Sequence, residues 1–336
     1  MTIIYFILIL GITITIHEFG HFIFAKKSGI HCYEFSIGMG PRLLKFNRKN
    51  DETDYCLRLF PIGGYVSMAG EQNDTDENVA KDKHFINKPW HQKLIVVLAG
   101  VTFNFLLAIV LLFIVGLING VPSYKAQVGD VIAGSPAALA GLQEGAIINK
   151  INDQKVASAD MFTLYFQKAN GKEITLETDK GTYTIKPSKN KDYTYGFKMG
   201  GVVEKGFIPA LKYSFWKFYS LIVQMIFVIG YLITGNLGLN NLAGPVGIYN
   251  IVGQSAEAGF INVVFLTALI CINVGLINLL PFPAFDGFRA VLLIIEKITK
   301  KKINSKFETI VNNVGLVLLI LLMVVITYND ILRLIS

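Results

Sequence analysis

His17-Glu18-Phe19-Gly20-His21 sets two imidazoles four residues apart, with a carboxylate next to the first. On a helix, positions i and i+4 share a face, so His17 and His21 can grip one metal ion. Glu18 then sits beside the ion, where a carboxylate can take a proton from an attacking water. The flanks sharpen this reading. Residues 3–16 are almost unbroken Ile, Leu, Tyr, Phe and Thr, and residues 22–25 continue the run. Ionisable groups in a membrane-grade segment are costly to bury and mark function by default. A removable secretory leader is not expected, because residues 1–5 carry no basic side chain and no small-residue cleavage site follows.

A second group of candidates lies far downstream, in Asn278-Leu279-Leu280-Pro281-Phe282-Pro283-Ala284-Phe285-Asp286-Gly287. Each proline lacks an N–H and pushes the residue before it out of the α region, so this stretch ends or breaks a helix. Broken backbone at membrane depth is tolerated where protein buries it or where it lines a wet cavity. Asp286 completes the three protein ligands that a catalytic zinc needs, with His17 and His21. Zinc follows from ligand type, and other divalent ions fit such a set as well. Asn278 either hydrogen-bonds a substrate backbone or a developing oxyanion, or makes an interhelical packing bond.

Helices must carry these groups. The chain has 336 residues, of which 52% are hydrophobic and 16% charged, and its mean hydropathy is +0.49. That is the profile of a membrane protein with a modest water-soluble part. The formal charge of +7 is spread over short loops, so it sets topology and meets anionic headgroups; nucleic acid is not an expected partner. Cys32, Cys56 and Cys271 form no C-x-x-C pair. Four stretches are long and apolar enough to span: 2–25, 94–118, 262–284 and 313–332. Residues 213–234 are aromatic-rich and carry Lys217 and Gln224, so they either span or lie in the interface. Eleven Lys and Arg residues fall in 26–93, and Lys297, Lys300, Lys301, Lys302 and Lys306 follow the third span. Four spans put both basic loops in the cytoplasm; five would place the lysine cluster outside. The expectation is four spans, with 213–234 interfacial or re-entrant.

That topology sends residues 119–212 outside. Ser135-Pro136-Ala137-Ala138 starts a helical turn, residues 145–152 alternate like a strand, and Lys180-Gly181 sits between two strand-like runs. The pattern S-P-A-A-x-A-G-L-x-x-G-x-x-I-x-x-I-N resembles a bacterial PDZ domain, although Ala146 stands where an acidic residue is usual. A generic small α+β domain is the plainer alternative.

Together the H-E-F-G-H motif, N-x-x-P-x-P-x-x-D-G and the inserted PDZ-like stretch resemble the site-2 protease family, above all its bacterial branch of the regulator of sigma-E protease type. Residues 22–30, Glu34-Phe35-Ser36-Ile37-Gly38-Met39-Gly40-Pro41 and Gly244-Pro245-Val246-Gly247-Ile248 fit the same family. Gly63-Gly64-Tyr65-Val66-Ser67-Met68-Ala69-Gly70-Glu71 resembles its membrane-associated β-loop. Phe288 and Val101 depart from the usual glycine and proline, and neither replaces a reacting group.

The resemblance implies an α-helical polytopic membrane protein with about four transmembrane helices, a membrane-associated β-hairpin and one inserted α+β PDZ-like domain. The divisions are 1–25 for the first helix with the zinc motif, 26–93 for a cytoplasmic loop and 94–118 for the second helix. The PDZ-like domain follows at 119–204, then an interfacial amphipathic segment at 205–261. A broken third helix with the third ligand covers 262–288, a cytoplasmic basic loop 289–312 and a fourth helix 313–336. The implied activity is a Zn2+ metalloendopeptidase of a bacterial inner membrane, cleaving peptide bonds in or near the spans of membrane proteins. Its partners would be the lipid bilayer and single-span substrates, such as anti-sigma factors or signal-peptide remnants, in some cases pre-trimmed by another protease. Glu18 would carry the proton. Tyr65, Val66, Ser67 and Met68 would either pair with an unwound substrate or only pack over the site. A catalytically silent scaffold using the PDZ-like domain is the rival from another class.

Overall fold

The structure is a computed structural model and describes residues 1–49, 51–71, 78–122, 125–169, 171–188, 194–200, 203–235, 238 and 242–335. It divides into two compact units: Met1–Leu111 with Tyr231–Ser336, and Leu112–Gly230.

In the first unit, α1 (Thr2–Lys27) is apolar all round, with no polar stripe before the histidines. It ends where the Ile30 amide turns back to the Ala25 carbonyl. β1 (Cys32–Asn47) and β2 (Asp54–Met68) then form an antiparallel sheet. Both strands bend, so the pair folds into four rungs. The 32–37 rung lies between 54–57 and 64–68, and the 54–58 rung also pairs with 42–47. Residues 64–68 are therefore an edge.

Helix α2 (Trp90–Asn119) follows Pro89 and begins earlier than the apolar run at 94, with Trp90-His91-Gln92-Lys93 as its first turn. It continues into the second unit. The second unit holds β3 (Val121–Pro122), β4 (Gln127–Val131), α3 (Pro136–Leu139), β5 (Ile148–Ile151), β6 (Gln154–Lys155), α4 (Ala159–Ala169), β7 (Ile174–Thr178), β8 (Gly181–Ile185), β9 (Phe197–Gly200) and β10 (Val203–Glu204). Four of these strands form one sheet in the order β6-β5-β7-β8, while β4 pairs with β9 and β3 with β10. The expected hairpin at Lys180-Gly181 is present, closed by Thr178 opposite Gly181. Ser135 caps α3 by accepting from the Ala138 amide. The core gathers Phe162, Ile148, Ile151, Ile174, Leu176 and Ile185, each at most 1% exposed.

Helix α5 (Phe207–Ile233) joins the units in sequence. Back in the first unit, α6 (Pro245–Glu257) packs with α1 and α7 (Phe260–Asn278) through Val252, Ile9, Val263 and Ile270. Pro281 and Pro283 stop α7 as expected. The stretch 289–312, expected as a basic loop, is mostly helical: α8 (Asp286–Thr299) fills its first half, and α9 (Ser305–Ile335) starts inside it. A strong apolar stripe on α8 accounts for this, with Ala290 and Leu293 buried. Among the described residues, five helices are long and apolar enough to cross a membrane: Thr2–Lys27, Trp90–Asn119, Phe207–Leu232, Phe260–Asn278 and Lys306–Arg333.

Candidate active site

The C-terminal half of α1 and the N-terminus of α8 meet. His17 and His21 are 7% and 9% exposed. Their Nε2 atoms lie 3.2 Å apart. Asp286 Oδ2 is 3.0 Å from His17 Nε2 and 3.3 Å from His21 Nε2. Residues separated by most of the chain thus put three ligand atoms at the corners of one small triangle.

Local sequence explains how Asp286 arrives. After α7 stops, Ala284 adopts a left-handed φ of 75°. Its amide is held by Asn312 Oδ1 of α9 at 3.1 Å. The chain re-enters a helix at Asp286, where a carboxylate suits the positive end of the dipole. Gly287 is required next: a Cβ there would stand 2.2 Å from the Leu279 carbonyl oxygen. Gly100 of α2 plays the same part for the imidazoles, since a Cβ would lie 2.3 Å from His21 Nε2.

The donor set fits zinc. Tetrahedral zinc with ligands at about 2.0–2.2 Å has ligand–ligand edges of roughly 3.3–3.6 Å, and the three separations here, 3.0–3.3 Å, lie at or just below that range. Asp286 Oδ2 is buried and accepts no hydrogen bond among the described residues. Two imidazole nitrogens and a carboxylate oxygen converging on one point are a set that could hold a metal cation. His21 Nδ1 lies 2.8 Å from the Val96 carbonyl, so it donates there when Nε2 holds a metal.

Glu18, Val66, Met68 and Asn278 line the same cavity as His17, His21 and Asp286, together with Glu71, Phe85, Ala284 and Arg289. Glu18 lies against the edge rung, where a Cβ on Gly64 would approach its Cγ to 3.6 Å. Tyr65 and Ser67 point elsewhere, because side chains alternate along a strand. The Tyr65 hydroxyl donates to Glu34 Oε1 at 2.8 Å, and Arg58 covers its ring at 5.2 Å. Burial pushes the Glu34 carboxyl up, but hydrogen bonds from Arg58 and Tyr65 outweigh it and hold the group below the ordinary carboxylate range.

Sequence reasoning missed Arg289, which donates to the Glu71 side chain and stacks on Phe85 at 4.5 Å. Its position three residues after Asp286, on the same helical face, was the available signal. It also missed Asn312, for which no local signal existed.

Comparison with known proteins agrees with this chemistry. The sequence profile of Peptidase family M50 matches residues 5–322. The zinc metalloprotease RasP of Bacillus licheniformis is 33% identical, covering 99% of this chain and 99% of its own length. The regulator of sigma-W protease RasP of Bacillus subtilis is 32% identical, again covering 99% of each chain. The zinc metalloprotease RasP of Shouchella clausii is 31% identical over the whole of both. With the profile running through both halves of the site, this chain belongs to peptidase family M50, the site-2 protease family, and is an intramembrane zinc metalloprotease of a multi-pass bacterial membrane protein type.

Proposed function

We propose that His17, His21 and Asp286 hold the zinc, that Glu18 is the proton carrier, and that the substrate is a peptide segment drawn from a membrane span. The observation that carries the assignment is the triangle of ligand atoms, 3.0–3.3 Å on a side, in one cavity with Glu18. Zinc, when bound, polarises the scissile carbonyl and makes water a nucleophile near neutral pH. Glu18 takes the proton from the attacking water and delivers it to the leaving amine. Asn278, at the end of α7, faces the same space and offers an amide to the substrate backbone.

A helical substrate hides its amides in i→i−4 bonds and must unwind before attack. The 64–68 rung is an edge, so one side of its backbone is free to pair with an unwound strand. Val66 and Met68 then contact substrate side chains, while Tyr65 and Ser67 brace the rung from its other face.

The favoured topology has four crossings. α1 and α7 run in the same direction, since their C-terminal ends meet at the site. α6 packs near the N-terminal parts of both, with Gly253 beside Thr2. If α5 crossed, the chain would have to return through residues 234–244, and a second crossing helix needs about 20 residues. The helix at Phe207–Leu232 is then interfacial or re-entrant. Residues 119–204 act as an external PDZ-like domain. It controls entry of single-span substrates, such as anti-sigma factors or signal-peptide remnants, after another protease has trimmed them. One relative's name, a regulator of sigma-W protease, supports a substrate of that kind.

Purified protein with Glu18→Gln tests the assignment against wild type, using a single-span substrate and metal analysis. The expected result is about one zinc in each and cleavage only by wild type, with a loss of at least about 100-fold. Cleavage by the variant removes Glu18 from its role. Zinc in both with cleavage by neither favours the silent scaffold.

A further inference from the structure

Helix α2 presents Val96, Gly100 and Asn104 to the two imidazoles, four residues apart each time and hence on one face. The Val96 carbonyl meets His21 Nδ1, and Gly100 makes room for both rings. Asn104 is fully buried, and its side-chain nitrogen lies 3.4 Å from His17 Nδ1. Its side-chain oxygen, also buried, has no hydrogen-bond partner among the described residues. This polar side chain, placed in an apolar helix and aimed at one ring, is used by nothing else described above.

We infer that Asn104 is the positioning residue for His17: its amide oxygen accepts from His17 Nδ1–H and so fixes Nε2 on the metal. The inference rests on His17 being a ligand through Nε2. An imidazole bound through Nε2 carries its proton on Nδ1, and that N–H needs an acceptor. The two ends of an asparagine amide exchange places by a half-turn of the terminal torsion. Either orientation leaves one end unpaired in this pocket, and the ring proton selects the one that turns oxygen to His17. The two ligand histidines then have matching outer partners from one helix, a backbone carbonyl for His21 and a side-chain carbonyl for His17. An outer acceptor raises ligand basicity and holds the ring in the plane the metal requires.

Two variants of the full-length protein separate an acceptor from a space-filler. Asn104→Leu keeps the branched shape and the number of side-chain heavy atoms and removes the acceptor, while Asn104→Asp keeps the acceptor and removes the donor. Zinc affinity is read by chelator competition in detergent, with gel filtration confirming the fold. Asn104→Leu should bind zinc about 10–100-fold more weakly, while Asn104→Asp stays within about threefold of wild type. Equal affinity in Asn104→Leu and wild type, or equal weakness in both variants, overturns the inference. A measurement on wild type alone covers failure of either variant to fold. With 15N-labelled histidine and zinc bound, His17 should show a metallated Nε2 and a slowly exchanging Nδ1–H. A fast-exchanging Nδ1–H on a metallated ring overturns the role of Asn104, whereas an unmetallated His17 overturns the ligand assignment beneath it.

Discussion

In the sheet of β1 and β2, Leu43, Leu44, Phe46, Leu59 and Phe60 are 48–66% exposed; in the sheet of β5 to β8, Ile148, Ile151, Ile174, Leu176 and Ile185 are at most 1% exposed. Both are antiparallel and rich in apolar residues. The second sheet brings its own cover, because α4 lays Phe162 over it and Tyr195 closes the rim. Among the described residues, the first sheet is covered where Phe35, Met68 and Tyr55 join Phe22 and Phe85, and Cys56 is buried. Its far end offers apolar side chains together with Arg42 and Lys45. We propose that this end lies against lipid, with the cations at headgroup level. One sheet carries its own cover, while the other leaves an apolar end without protein cover among the described residues.

Phe162→Ala should give the largest effect. Emptying a fully buried aromatic site costs about 3–5 kcal/mol, and the inserted domain should become protease-sensitive at temperatures that wild type tolerates. Zinc content should not change. Loss of zinc along with the insert would show that the two regions are not independently built. A smaller effect is expected from Leu44→Asp combined with Phe46→Asp. Each exposed apolar side chain contributes at most about 1.5–3 kcal/mol on leaving water. In liposomes, trypsin should cut the double variant at Arg42 and Lys45 faster than wild type, while in detergent the two should behave alike. Equal cutting in liposomes would mean that this end of the sheet does not meet lipid.

The smallest effect concerns the charges bracing the first sheet. Glu34 has its carboxyl held below the ordinary range, so its contribution is fully present above about pH 4.3 and is lost as pH falls through its lowered value. Hydrogen exchange at 32–37 and 64–68, corrected for intrinsic rate, should be flat above about pH 5 and accelerate roughly two- to threefold toward pH 3. The insert sheet, whose core has no such carboxylate, should show no matching rise below pH 5. Parallel behaviour of the two sheets would remove Glu34 as the cause.

The metal-binding chemistry was legible early because it is local. His17 and His21 share a helix face by spacing alone, and the prolines at 281 and 283 announce the break that frees Asp286. The insert's hairpin and capped turn were equally local, resting on Lys180-Gly181 and Ser135-Pro136. Charge counting made 289–312 a loop. The structure makes most of it helical, since the segment carries an apolar stripe with Ala290 and Leu293 buried, and charge counting reads the side of the membrane, not local conformation. Strand alternation separated Val66 and Met68 from Tyr65 and Ser67 only once the sheet's orientation was known.

By itself the sequence determined the ligand types, the apolar segments that carry them and the family to which both belong. These follow from composition and from periodicities of a few residues. Only the tertiary structure decided which further residues surround and brace those groups. Asn104 beside His17, Asn312 holding Ala284 and Arg289 bound to Glu71 are contacts between elements. A single asparagine or arginine has no periodicity to betray its partner, and only packing between elements brings the two together.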